Sequence, residues 1–175
     1  MAKPVTRYFT PQTAHEVVGK TFVSDWLVID QDRIDTFGRV TEDPDPHHVD
    51  PEFAARHSPW GATIAFGFLT LSLMTPMAYQ VYRYPLDGDP QDGYPASFGF
   101  NRIRFVAPVR VNSRIRGHFT VKDVTERKPG QRQVTIDCRV EIEGEERPAL
   151  VGEWLALWIR PVGGSDGRLA DGAHR

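Results

Sequence analysis

Apolar and polar positions along the chain follow two different periods, and the second half is governed by a period of two. Ile115, Gly117, Phe119 and Val121 alternate with Arg114, Arg116, His118 and Thr120, and Val134, Ile136, Cys138, Val140 and Ile142 alternate with Thr135, Asp137, Arg139 and Glu141. Such alternation predicts strands with one buried and one wet face. The turn formers Lys128-Pro129-Gly130 and Glu143-Gly144-Glu145 separate these runs from a third, Ala149 to Ile159, and Phe98 to Val106 supplies a strand upstream. An antiparallel meander of long strands is expected.

The first half is mostly helical in pattern. Thr10 and Pro11 read as the cap and first residue of a short helix that Gly19 stops. Thr21 to Ile29 has the β-branched and aromatic content of a strand. Asp30 then caps a helix whose Ile34, Phe37 and Val40 share one face. The run Asp43-Pro44-Asp45-Pro46 cannot continue it, because each proline lacks a donor and pushes its predecessor toward extended geometry. A rigid loop is expected there, then a helical turn from Pro51 to His57, then a long uncharged helix from near Ala62 that Pro76 kinks or ends. Tyr84 to Tyr94, rich in Pro, Gly and Asp, reads as a loop or flap. The fold class is therefore α+β, with one apolar helix laid across a strongly curved antiparallel sheet. Residues 1–160 form one domain on this reading, and residues 161–175, dominated by Gly, Ser, Asp and Ala, read as a disordered tail.

Composition narrows the partners. The chain has 175 residues, enough for a sizeable core, and a net charge of -2 with both signs dispersed, so a nucleic-acid partner is not expected. The uncharged stretch Gly61 to Tyr82 is long enough to span a membrane, but Gly67, Thr70, Ser72, Thr75, Pro76 and Gln80 dilute it and its flanks lack basic clusters. A helix buried in a protein core is favoured, without a membrane partner. The single cysteine, Cys138, excludes an internal disulfide framework and sits at a core position. With no secretory-type apolar run near the first residues, a cytoplasmic, reducing location is the expectation.

Candidate chemistry gathers in the proline-stiffened loop. Asp43 and His48 stand five positions apart, and a carboxylate and an imidazole held there can both contact one water molecule at low ordering cost. The alternative is that Asp43 and Asp45 only form turns and His48 is an ordinary loop histidine. His47 is expected to face away from His48, as neighbouring extended residues do. Asp43, Asp45, His47, His48, Asp50 and His57 are close in sequence, yet none repeats a compact metal-ligand spacing, so no metal is expected. Gly67 falls near the start of the uncharged helix, where an unpaired N–H can polarise a carbonyl; equally, it can serve close helix packing. Trp60, Phe66 and Phe68 can line an acyl pocket or simply fill the core. Arg102, Arg104, Arg110, Arg114 and Arg116 can meet the phosphates of coenzyme A or a carrier-protein surface, or form a solvated sheet face.

The stretch Glu42-Asp43-Pro44-Asp45-Pro46-His47-His48-Val49-Asp50-Pro51-Glu52-Phe53-Ala54 resembles the signature loop of the MaoC-like dehydratases and (R)-specific enoyl-CoA hydratases. That pattern is an Asp, any residue, an Asn, a Pro, an apolar residue and the catalytic His; Asp43, Pro46 and His48 fall on it. Ile64 to Leu73 is similar to the start of the family's central helix, and Phe100 to Val109 to the strand entering its final meander. The likeness covers residues from about 10 to 160 and is strongest to the nodulation-protein-N-like branch. It implies a single hot-dog fold, a long helix wrapped by the curved sheet, paired into a homodimer. It further implies a hydro-lyase in which Asp43 and His48 activate water for reversible addition to a trans-2-enoyl thioester, giving an (R)-3-hydroxyacyl product. The Gly67 N–H would stabilise the enolate oxygen. No cofactor is implied beyond coenzyme A or acyl-carrier protein as the substrate's handle. A hot-dog thioesterase and a non-catalytic acyl-thioester-binding module are the rival readings.

Three positions depart from the pattern. Asp45 stands where Asn is usual, and a second carboxylate near Asp43 is expected to raise the pKa of one of them. Phe66 replaces a frequent His before Gly67, and His47 replaces the usual apolar residue.

Overall fold

The computed structural model describes residues 9–82 and 94–159. One short helix and two short strands lead in. Helix α1 (Pro11–Glu16) starts from Thr10, whose hydroxyl accepts from the Thr13 N–H while the Thr13 side chain returns to the Thr10 N–H. The strand expected over Thr21 to Ile29 is interrupted, giving β1 (Thr21–Val23) and β2 (Leu27–Val28). The cause is Ser24: its N–H donates to the Gly117 carbonyl at 2.9 Å, but its hydroxyl, not its backbone, accepts from the Gly117 N–H at 2.9 Å. A side chain has taken over a ladder position, and the backbone leaves the sheet until Leu27.

Helix α2 (Gln31–Thr41) is capped by Asp30, as expected, and buries Ile34 and Gly38. Phe37 packs partly against the core, but Val40 is 75% exposed, so the apolar face runs through Gly38 instead. Gly38 is needed there: a Cβ would lie 3.0 Å from the Asp43 carbonyl oxygen, 3.0 Å from Val49 and 3.1 Å from the Phe66 ring. Two short helices follow, α3 (Pro46–Val49) and α4 (Pro51–His57).

The apolar helix of the first half is present as two pieces, α5 (Gly67–Ser72) and α6 (Met74–Val81). The break at Leu73 lies three residues ahead of Pro76, whose ring has no N–H for the Ser72 carbonyl and crowds it. Residues 62–66, expected to open the helix, are not helical, and Ile64 bridges to Arg110.

Strands β3 (Tyr94–Phe105), β4 (Arg114–Lys128), β5 (Gln131–Ile142) and β6 (Leu150–Ile159) form an antiparallel sheet in the order β1-β4-β5-β6-β3, with β2 also on β4. The turns fall where glycine was read, with Gly130 and Gly144 at positive φ. Ile115, Phe119, Val121, Val134, Ile136, Cys138, Val140 and Ile142 are all buried, and they meet Leu69, Met74, Met77 and Ala78 from α5 and α6. Each fully buried side chain of this size contributes roughly 1.5–3 kcal/mol. Gly117 lets the sheet close on the helix: a Cβ there would lie 2.4 Å from the Phe119 ring and 3.4 Å from Met77. The result is the α+β hot-dog arrangement, an apolar helical rod held in a curved antiparallel sheet. The expected loop at 84–93 and the tail at 161–175 lie outside the described residues. Among the described residues no helix is long and apolar enough to cross a membrane.

Candidate active site

Asp43 is delivered by the end of α2. Glu42 adopts the left-handed conformation, with φ 57°, and closes the helix, and the Asp43 N–H returns to the Gly38 carbonyl at 3.0 Å. One oxygen of the exposed Asp43 carboxylate accepts from the Asp45 N–H at 3.2 Å, an Asx turn that pins it across Pro44. Asp45 in turn caps α3, accepting from the His47 N–H at 2.9 Å and contacting the His47 Nδ1 at 2.9 Å.

His48 therefore stands on a helical turn, not on extended chain. Its separation from His47 comes from the rotation along that turn, which sends the two rings to different partners. His47 stays with Asp45 and meets the Phe53 ring edge-on at 5.3 Å. The half-buried His48 places Nδ1 2.7 Å from the Ile64 carbonyl oxygen and lays its ring on Phe66, with centroids 4.0 Å apart. A carbonyl only accepts, so Nδ1 carries the proton and Nε2 is left to act on something else. Asp43 and His48 come from one short loop, and no hydrogen bond joins them directly.

The remaining candidates separate clearly. Phe66 is 4% exposed and lies against His48, whereas Phe68 is 68% exposed, its ring 6.0 Å from that of Phe105. Gly67 is the first residue of α5, where the helix cannot satisfy the N–H internally. It also permits close approach: a Cβ would lie 3.2 Å from the Phe105 ring. Trp60 is half-buried in the turn after α4 and makes no ring contact with His48 among the described residues. A shallow depression opens beside Asp43, lined by Asp35, Arg39, Glu42 and Pro44, on the side of α2.

At position 45 the His47 N–H and then the His47 imidazole hold the carboxyl pKa below the ordinary value. Arg114 and Arg116 belong to the solvated sheet face: Arg114 pairs with Glu143 at 2.8 Å, Arg116 with Glu141 at 2.7 Å, and the Arg116 guanidinium lies 4.3 Å over the Trp26 ring. Cys138 is buried, which pushes its thiol pKa up to about 12, so it is a core residue and not a nucleophile. On α5 the Thr70 and Ser72 hydroxyls bond back to the carbonyls of Phe66 and Phe68, at 3.4 and 2.8 Å, leaving that helix without an acid to direct hydrolysis.

Gln31 and Thr63 escaped the sequence reading. Gln31 Nε2 donates to the His48 carbonyl at 2.8 Å, and its Oε1 accepts from the Thr63 hydroxyl at 2.5 Å. Both contacts span long stretches of chain, and only the position of Gln31 directly after the Asp30 cap hinted at a fixed side chain.

A model of the family described as MaoC like domain matches residues 13–143. Nodulation protein N of Rhizobium leguminosarum bv. viciae is 38% identical over 150 residues, covering 84% of this chain and 87% of its own. The 3-hydroxyacyl-thioester dehydratase Z of Mycobacterium tuberculosis (strain CDC 1551 / Oshkosh) is 38% identical over 146 residues, 83% of this chain and 91% of its own. Among solved structures, the (R)-hydratase from A. caviae involved in PHA biosynthesis superposes with a TM-score of 0.63 at 25% identity, covering 79% of this chain and 94% of that one.

Proposed function

This chain belongs to the MaoC-like dehydratase family, and from that premise we propose that it is a hydro-lyase acting on acyl thioesters. The reaction is reversible hydration of a trans-2-enoyl thioester to an (R)-3-hydroxyacyl thioester, carried on coenzyme A or acyl-carrier protein. The observation that carries this reading is the polarity of His48, with Nδ1 spent on the Ile64 carbonyl and Nε2 available, on the same short loop as a carboxylate held by its own Asx turn. In the hydration direction Asp43 orients a water molecule and His48 Nε2 takes its proton as the oxygen adds to the β-carbon. Negative charge that builds on the thioester oxygen meets the Gly67 N–H, and the His48 imidazolium then returns its proton to the α-carbon, which restores the neutral ring. The solvent-facing Phe68 and Phe105 are the apolar groups nearest Gly67 that an acyl chain can meet.

The dehydratase Z and (R)-hydratase names support the same chemistry. The hydroxyls of α5, both spent on backbone carbonyls, argue against a thioesterase, since that helix carries no acid to direct water at the carbonyl. We further infer a homodimer. Stereochemistry is the decisive experiment: trans-2-enoyl-CoA incubated with the protein in deuterated water, and the product analysed on a chiral phase. The (R)-3-hydroxyacyl product is expected; an (S) product or free acid would overturn the assignment.

A further inference from the structure

Hydrogen bonds around His48 form a closed circuit. The His48 carbonyl accepts from Gln31 Nε2 at 2.8 Å; Gln31 Oε1 accepts from the Thr63 hydroxyl at 2.5 Å; Thr63 is followed by Ile64, whose carbonyl accepts from His48 Nδ1 at 2.7 Å. The circuit leaves His48 through its backbone and returns through its ring, so it constrains both the position of the turn and the rotation of the imidazole. Its far side is itself anchored. Thr63 is 1% exposed and its carbonyl accepts from the Val111 N–H at 2.9 Å, while Ala65 donates to Val109 at 2.7 Å. The Ile64 N–H donates to the His47 carbonyl at 3.2 Å, tying the same segment to the α3 turn.

Only an amide closes this circuit. Gln31 Nε2 donates twice, to the His48 carbonyl and to Asp35 Oδ1 at 2.7 Å, and both partners only accept. Exchanging the oxygen and nitrogen would place the amide oxygen against a carbonyl and a carboxylate, so the orientation is fixed. A carboxylate at position 31 would meet the same two acceptors with no proton to offer, and an aliphatic side chain would leave the buried Thr63 hydroxyl without its acceptor.

We propose that Gln31 is the positioning residue for His48, with Thr63 as its anchor: together they hold the imidazole as the Nδ1–H tautomer with Nε2 turned toward the substrate. The role rests on His48 being the acid-base group, and it acts through geometry, without contact to the substrate. Gln31 is suited to it because it is the first residue of α2, immediately after the Asp30 cap, so its backbone is already fixed.

The test compares Gln31→Ala, Gln31→Glu, Thr63→Val and Thr63→Ser with the parent protein, using two readouts. The first is the His48 tautomer from nitrogen-15 NMR above its titration, which requires no turnover. The second is kcat and KM for trans-2-enoyl-CoA across pH. Thr63→Ser keeps the hydroxyl and is expected to match the parent. Thr63→Val and Gln31→Ala should lower the Nδ1–H population and reduce kcat roughly 10- to 100-fold, as small misplacements do, with KM changed by less than about 3-fold. Gln31→Glu should lose most at neutral pH and recover partly toward acid pH, where its carboxyl gains one proton to donate. An unchanged tautomer and kcat in Gln31→Ala and Thr63→Val would overturn the proposal. Should the parent protein show no hydration while the tautomer still shifts, positioning stands and the hydratase reading falls.

Discussion

Nδ1 of His48 lies 2.7 Å from the carbonyl oxygen of Ile64, across a sequence separation of 16 residues. This contact fixes which nitrogen carries the proton when the ring is neutral. The ring packs against Phe66 at a tilt of 34°, with centroids 4.0 Å apart, so it cannot swing away to present the other nitrogen without losing both partners. The expected consequence is a neutral His48 that is predominantly the Nδ1–H tautomer in NMR; a predominantly Nε2–H ring would contradict the geometry. The same contact predicts that Ala at this position lowers kcat by about 10²–10⁴, the usual contribution of a general acid-base group, while the far-ultraviolet spectrum is unchanged.

Gly67 distinguishes packing from catalysis. A methyl group there would lie 3.2 Å from the Phe105 ring, and that ring is 49% exposed, so it has room to give way. Gly67→Ala should therefore change stability by less than about 1 kcal/mol, the helical preference for Ala offsetting the crowding. Activity should still fall at least 10-fold, because the displaced ring and the new methyl both sit at the N–H assigned to the oxyanion. A loss of stability with kcat retained for the folded fraction would assign Gly67 to packing alone.

Glu141 ties β4 to β5, bridging Arg116 at 2.7 Å and His118 at 2.6 Å. The Arg116 guanidinium, followed by His118, holds its pKa below the ordinary value. A carboxyl lowered in the folded state contributes stability above the unfolded pKa and loses it as pH falls through the folded one. Glu141→Gln should cost about 1 kcal/mol at pH 7, after allowance for solvent screening of a partly exposed pair. In urea unfolding the gap between the two proteins should narrow below about pH 4; a gap that widens toward acid would reverse the sign.

Cys138 is buried between β-strand neighbours, with its thiol pKa up to about 12. A thiol-reactive dye at pH 8 should leave the native protein unmodified over an hour and label it in denaturant. Rapid labelling of the folded protein would mean that this part of the core opens readily.

The strands were legible because their pattern is local: alternation from Arg114 to Val121 and from Val134 to Ile142 states which face is buried before any partner is known. Caps were legible for the same reason, as at Thr10 and Asp30. What escaped depends on distant chain. The break at Ser24 exists because its hydroxyl meets the Gly117 N–H, and Val40 is exposed because Gly38 offers the closer approach to Val49 and Phe66. In the site, the Asp43 and His48 spacing was visible in the loop, whereas the Gln31 to Thr63 and His48 to Ile64 contacts join segments that only the fold brings together. The lowered pKa of Asp45 escaped too, since it follows from α3 turning His47 back onto it.

The most direct test of the hydro-lyase assignment is the loss of enoyl-thioester absorbance when purified protein meets crotonyl-CoA and longer trans-2-enoyl-CoAs, beside Asp43→Asn and His48→Ala. Turnover by the parent protein that drops by about 10² or more in each variant, with folding intact, is the predicted result. Saturable binding of these thioesters without turnover, or turnover that survives both substitutions, would contradict it.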